Sequence, residues 1–212
     1  DMAQLFPERL IDGYRNFREN RLPLENNRLK LLANHGQRPK IMLIGCCDSR
    51  VSPEVIFDTA PGEIFVVRNV ANLVPPFEQA GEYHGTSAAL EFAVIALKVK
   101  HIVVMGHGRC GGVHAALNES DPLSHSDFIG QWMSIMDNLA AEVRNDVNVP
   151  EALKAKELEH RAVQLSLQNL LSFPWVRSAH DAGELSLHGA WFDVSEGELH
   201  ILNSKDEKFY SV

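Results

Sequence analysis

The chain has 212 residues, 45% of them hydrophobic, with a net charge of -8 and a pI near 5.7. That is enough for one substantial core and cramped for a second independent domain. The acidic balance, with no basic cluster, argues against a nucleic-acid footprint and against binding an anionic membrane surface. No apolar run approaches the roughly 20 residues needed to span a bilayer.

The N-terminus DMAQLFPERL lacks a charged-then-apolar secretory pattern, so a cytoplasmic protein is expected, its partners small molecules or other protein chains. Three cysteines, two of them adjacent, make no disulfide framework; reduced thiols used for a metal or for catalysis are expected instead.

Residues 3–18 place Phe6, Leu10, Tyr14 and Phe17 on one face of an amphipathic helix that needs a surface to cover. A second helix is expected in PLENNRLKLLANHG, with Asn34 and Gly36 as stop signals before Pro39. These form an N-terminal arm over residues 1–35. The period then changes. KIMLIG, GEIFVVRN and HIVVMGHG are short continuous Ile- and Val-rich runs, as buried parallel strands are. GTSAALEFAVIALKVK has helical length between the second and third, and GGVHAAL opens a helix after the third. Alternating strand and helix predicts an α/β fold with a mostly parallel central sheet flanked by helices. Residues 126–172 read as nearly all helical, broken at Pro150 and followed by Pro174; KAKELEHR within them reads as a solvated face. ELSLHGAWFDVSEGELHILN closes the chain as a hairpin at the sheet edge. The whole is expected to be a single domain, 37–120 carrying the site and 126–212 the C-terminal helices and edge strands.

Two polar clusters directly follow apolar runs. CCDSR follows the first and HGRC the third, and ligand crevices of open α/β sheets lie outside the carboxyl ends of the strands. If those strands are neighbours, Cys46, His107, Cys110 and Asp48 become available to zinc, which takes thiolate, imidazole and carboxylate. Side chains two apart share a face of an extended segment, so Cys46, Asp48 and Arg50 point one way and Cys47 and Ser49 the other. This assigns Cys46 to a metal and Cys47 to packing beneath the loop.

These residues resemble the β-class carbonic anhydrases, zinc enzymes that interconvert carbon dioxide and bicarbonate. CCDSR fits their C-x-D-S-R, GHGRCGG fits their H-x-x-C followed by glycines, and PGEIFVVRNVANLVPPFE resembles the segment between. The resemblance implies one zinc per chain on Cys46, His107 and Cys110. It also implies hydration of carbon dioxide by zinc-bound hydroxide, and a homodimer or dimer of dimers whose N-terminal helices lie on the partner. In that chemistry Asp48 accepts the hydroxide's hydrogen bond, and Arg50 clamps Asp48 by two charge-assisted bonds. Released, Asp48 becomes a fourth ligand and closes the site. Gln37 stands where the family has a glutamine that donates to substrate oxygen, and Phe65 where an aromatic lines the pocket. Phe92 replaces a tyrosine frequent in plant-like members and is expected to be pocket wall only. Members regulated by bicarbonate carry a tryptophan three positions before the first zinc cysteine; here that residue is Leu43, which favours the plant-like, open kind, while Arg68 does not discriminate. Two other readings share the motifs: hydrolysis of carbonyl sulfide or carbon disulfide on the same fold, and a structural zinc site of two cysteines, one histidine and one aspartate.

Overall fold

The three Ile- and Val-rich runs form parallel strands in the computed structural model, which describes residues 6–79, 81–119 and 127–212. They are β1 (Ile41–Cys46), β2 (Ile64–Asn69) and β3 (His101–His107). The chain divides into two compact units, Asp1–Arg38 and Pro39–Val212.

The second unit is a six-stranded sheet in the order β2-β1-β3-β4-β5-β6, where β4 is Ser186–Asp193, β5 Glu198–Asn203 and β6 Lys208–Ser211. β4 lies parallel to β3, and only β5 and β6 turn antiparallel. The hairpin read around SEGE is β4 with β5. A further short strand, β6, which the sequence reading did not contain, takes the outermost place.

β1 shows why its run is continuous rather than alternating. Met42 and Ile44 pack into one core with Ile102 and Val104 of β3, whereas Leu43 packs on the other face with Met105. Both faces of β1 are covered, so neither position of the two-residue period is polar.

Helices follow the spacing signals. α4 (Gly85–Glu91) continues through a wider turn to Ala96 and sets Leu90 and Ala93 in the core. α5 (Gly111–Leu117) is the helix opened by GGVHAAL, and α6 (Asp127–Met133), α7 (Asp137–Asn145) and α8 (Lys154–Leu170) account for most of the predicted helical region 126–172, of which residue 126 lies outside the described residues. Between β1 and β2 a single turn, α3 (Pro53–Ile56), starts at a proline. Pro174 opens another helix not read from the sequence, α9 (Pro174–Asp181), at the first position, where a missing N–H costs nothing.

In the first unit α1 (Glu8–Asn16) and α2 (Leu22–His35) are joined by one wider turn, Phe17–Arg21. Residues 3–5 of the predicted helix lie outside the described residues. Neither helix buries a residue: Phe6 before α1, Leu10 and Tyr14 on it and Leu31 on α2 remain exposed, and Gly36, at φ 77, ends α2 as its position predicts.

Candidate metal centre

β1 and β3 are hydrogen-bonded neighbours, and chain order reverses between them: β2 lies outside β1, while β4 lies beyond β3. That reversal opens a crevice at the strands' carboxyl ends. Cys46 is the last residue of β1 and His107 the last of β3, and Cys110 stands at the entry to α5. All three are buried, and their ligand atoms lie within 4.8 Å of one another.

The histidine is oriented for ligation. Its Nδ1 lies 2.8 Å from the Gly108 carbonyl, so Nδ1 carries the proton and Nε2 the lone pair. Nε2 is buried without a hydrogen-bond partner among the described residues. Buried polar atoms are seldom left so, and this one faces two sulfurs and a carboxylate. The Cys110 thiol hydrogen bond draws the Cys46 thiol far below its ordinary range, against burial that pushes it up; the same contact and burial push Cys110 upward. Amide donors from Asp48 and Ala71 add to the Cys46 effect. An imidazole lone pair and two sulfurs at this spacing fit a tetrahedral zinc with its fourth position free.

Asp48 lies beside the cluster. Arg50 grips it twice, Nε to Oδ1 at 3.0 Å and Nη2 to Oδ2 at 2.8 Å, while the Arg50 amide donates to Oδ1 at 2.9 Å. The Arg50 bonds are the main reason its pKa falls to about 2. Oδ2 stands 3.9 Å from His107 Nε2. The pair is made by a tight turn after β1 (Val51 N to Asp48 O, 3.2 Å), and strand alternation has already ended there.

Cys47 corrects an expectation. It is exposed, not packed beneath the loop. Its amide bonds Asn69 O at 2.8 Å and carries the ladder one residue past β1, so its side chain turns away from the core that receives Cys46.

Phe65 and Phe92 come together, ring centroids 5.7 Å apart, with Phe92 48% exposed. Gln37 belongs to the first unit, next to its last residue. Leu43 is buried among Met105 and Ala190. Arg68 does something the sequence did not reveal: its guanidinium donates to the carbonyls of Cys46 (2.7 Å), Asp48 (2.6 Å) and Val51 (3.1 Å), holding the loop that carries Asp48.

The family profile for carbonic anhydrase matches residues 41–199, which takes in the whole cluster. The chain belongs to the β-class carbonic anhydrases. It is 34% identical over 207 residues to the mitochondrial β carbonic anhydrase 6 of Arabidopsis thaliana, covering 96% of this chain and 70% of that one. The solved β-carbonic anhydrase CcaA superposes with a TM-score of 0.89 at 30% identity, over 97% of this chain and 91% of that one. A structure from a study of two tetrameric β-carbonic anhydrases of Sordaria macrospora gives 0.77 at 31%, over 92% and 95%. This carbonic anhydrase therefore keeps the family's mostly parallel sheet, and the enzyme class follows from the same matches.

The largest departure from the sequence reading within the site region lies on α8. KAKELEHR is not a uniformly solvated face: Glu159 is 4% exposed and accepts hydrogen bonds from Trp191 Nε1 and the Cys110 amide. The signal was present, because Glu159, Ala162, Val163 and Ser166 share one helical stripe.

Proposed function

We propose that this carbonic anhydrase holds one zinc on Cys46, His107 and Cys110 and hydrates carbon dioxide to bicarbonate and a proton at the open fourth position. The observation that carries the reading is the buried, unpartnered His107 Nε2, facing two buried cysteine sulfurs beside a carboxylate already gripped by Arg50. Zinc bound there supplies a Lewis acid strong enough to make water nucleophilic near neutral pH.

The protein's own groups do the rest. Asp48, ionised by Arg50, accepts a hydrogen bond from the nucleophile and aims its lone pair at the substrate carbon. Phe65 and Phe92 wall the apolar side of the pocket. Leu43 has no donor with which to help hold bicarbonate. Without a preference of that ligand for the closed state Asp48 stays off the metal, and activity declines gradually below about pH 8. The exposed apolar side chains of α1 and α2 support self-association as a homodimer or a dimer of dimers, as does the tetrameric state named for the Sordaria relatives.

Stopped-flow hydration on metal-quantified protein tests the reading. Zinc should be about one per chain in the wild type and in Cys47→Ser, and lost in Cys46→Ser and Cys110→Ser. Arg50→Ala and Asp48→Asn should each lower kcat/KM by about 100-fold or more, and the double variant little further. Full zinc in Cys46→Ser, or additive losses at Asp48 and Arg50, would sink the assignment.

A further inference from the structure

Glu159 sits on the buried stripe of α8, 49 residues beyond Cys110 in sequence, yet it reaches the centre. Its Oε1 accepts the Trp191 indole N–H at 3.2 Å and its Oε2 the Cys110 amide at 3.4 Å. A carboxyl group is buried only where donors compensate it, and here donors meet both oxygens.

The Cys110 amide follows an unusual backbone. Arg109 has φ 57, left-handed for a residue with a side chain, although that side chain is itself exposed. The peptide unit after it presents the Cys110 N–H to Glu159, while the Arg109 carbonyl of the same unit accepts from Arg50 Nη2 at 3.0 Å. The same Nη2 donates to Asp48 Oδ2 at 2.8 Å. A continuous chain of hydrogen bonds thus runs from the interior of α8 to the carboxylate beside the metal site.

We propose that Glu159 is a positioning residue for the hydration reaction. By holding the Arg109–Cys110 backbone in its left-handed turn, it sets the carbonyl on which Arg50 rests, and through Arg50 the direction of Asp48. It also seats the Cys110 ligand. The inference rests on the reading of Asp48 and Arg50 given above.

Glutamine at 159 matches the shape but offers one acceptor and one donor where both sides present donors, so one side is left facing a donor. Valine at 109 leaves the interior untouched, but a β-branched side chain resists this φ.

The experiment is a double-mutant cycle on zinc-loaded protein of verified stoichiometry, joined to the rate at which a chelator removes the zinc. Glu159→Gln should lower kcat/KM about 10- to 100-fold and speed zinc release about tenfold. In an Arg50→Ala background the same change should cost less than about threefold. Arg109→Val should likewise lose at least about tenfold, and lose little once Arg50 is gone. Should Glu159→Gln not fold, Arg109→Val decides alone. An equal loss with and without Arg50, unchanged zinc release, or wild-type kcat/KM in Arg109→Val overturns the inference. If Arg50→Ala is itself harmless, the Asp48–Arg50 reading falls and takes this one with it; damaging but additive effects reject Glu159 alone.

Discussion

His160 follows Glu159 on α8, and its ring lies stacked on Phe209 with centroids 4.2 Å apart and edge-on to Trp191 at 4.9 Å. Its Nε2 is buried without a partner among the described residues. Desolvation, with smaller contributions from Lys156 and His200 and against Glu157, takes its pKa from 6.5 to about 4. The folded protein therefore refuses a proton that the unfolded chain accepts below about pH 6.5. Nothing is lost above that pH; as pH falls from 6.5 toward 4 the unfolded state gains, and stability drops, by a few kcal/mol at most once solvent screening is counted. Replacing His160 with Phe should flatten the fall in unfolding free energy between those pH values, measured by urea denaturation. An unchanged slope would place the acid sensitivity elsewhere. One helical step separates a histidine that burial neutralises from a glutamate that donors compensate, and charge content in KAKELEHR distinguishes neither from a solvated lysine.

Between elements, the contact that places the site is β3 against α8. Gly106, immediately before His107, lies so close to the helix that an added Cβ would come within 2.8 Å of Val163 Cγ2. β4 repeats the approach, since a Cβ on Gly189 would meet Leu202 at 2.9 Å and Val163 at 3.0 Å. Small residues on two adjacent strands let α8 settle low enough for Glu159 to reach the Cys110 amide. Gly106→Ala should thus cost about 1–3 kcal/mol of unfolding free energy, the usual range for overpacking. Adding Val163→Ala should return part of it, and strict additivity in a denaturation cycle would rule out the Val163 clash as the cause.

At the scale of the whole molecule, α1 has the amphipathic pattern of a helix that covers something, yet neither it nor α2 buries a residue: Leu10 and Tyr14 remain 57% and 58% exposed. Short helices owe most of their stability to packing an apolar face. On the homo-oligomer reading that face is covered by another copy of the chain. Leu10→Ser with Tyr14→Ser should accordingly shift sedimentation toward smaller species at micromolar concentration, with the Pro39–Val212 fold intact by circular dichroism. Unchanged mass would remove the arm from the interface.

Sequence alone determined β1 to β5 but not β6, because period and β-branched content report local backbone and burial on both faces. It also singled out Cys46, His107 and Cys110, because each half-site is contiguous and directly follows a strand run. Whether the half-sites met depended on β1 and β3 being neighbours, which only the sheet order decides. The same holds for what surrounds them. Strand alternation read the opposite facing of Cys46 and Cys47 but not whether the second face is covered, and Cys47 proved exposed. Arg68 and Glu159 act on backbone groups of distant segments, and no local pattern marks a side chain's partner across a fold. After the left-handed Arg109, its peptide with Cys110 meets two partners from elsewhere in the chain, Glu159 at the Cys110 amide and Arg50 at the Arg109 carbonyl. Local pattern names the Cys46, His107 and Cys110 cluster; long-range closure of strands and helix decides how it is held.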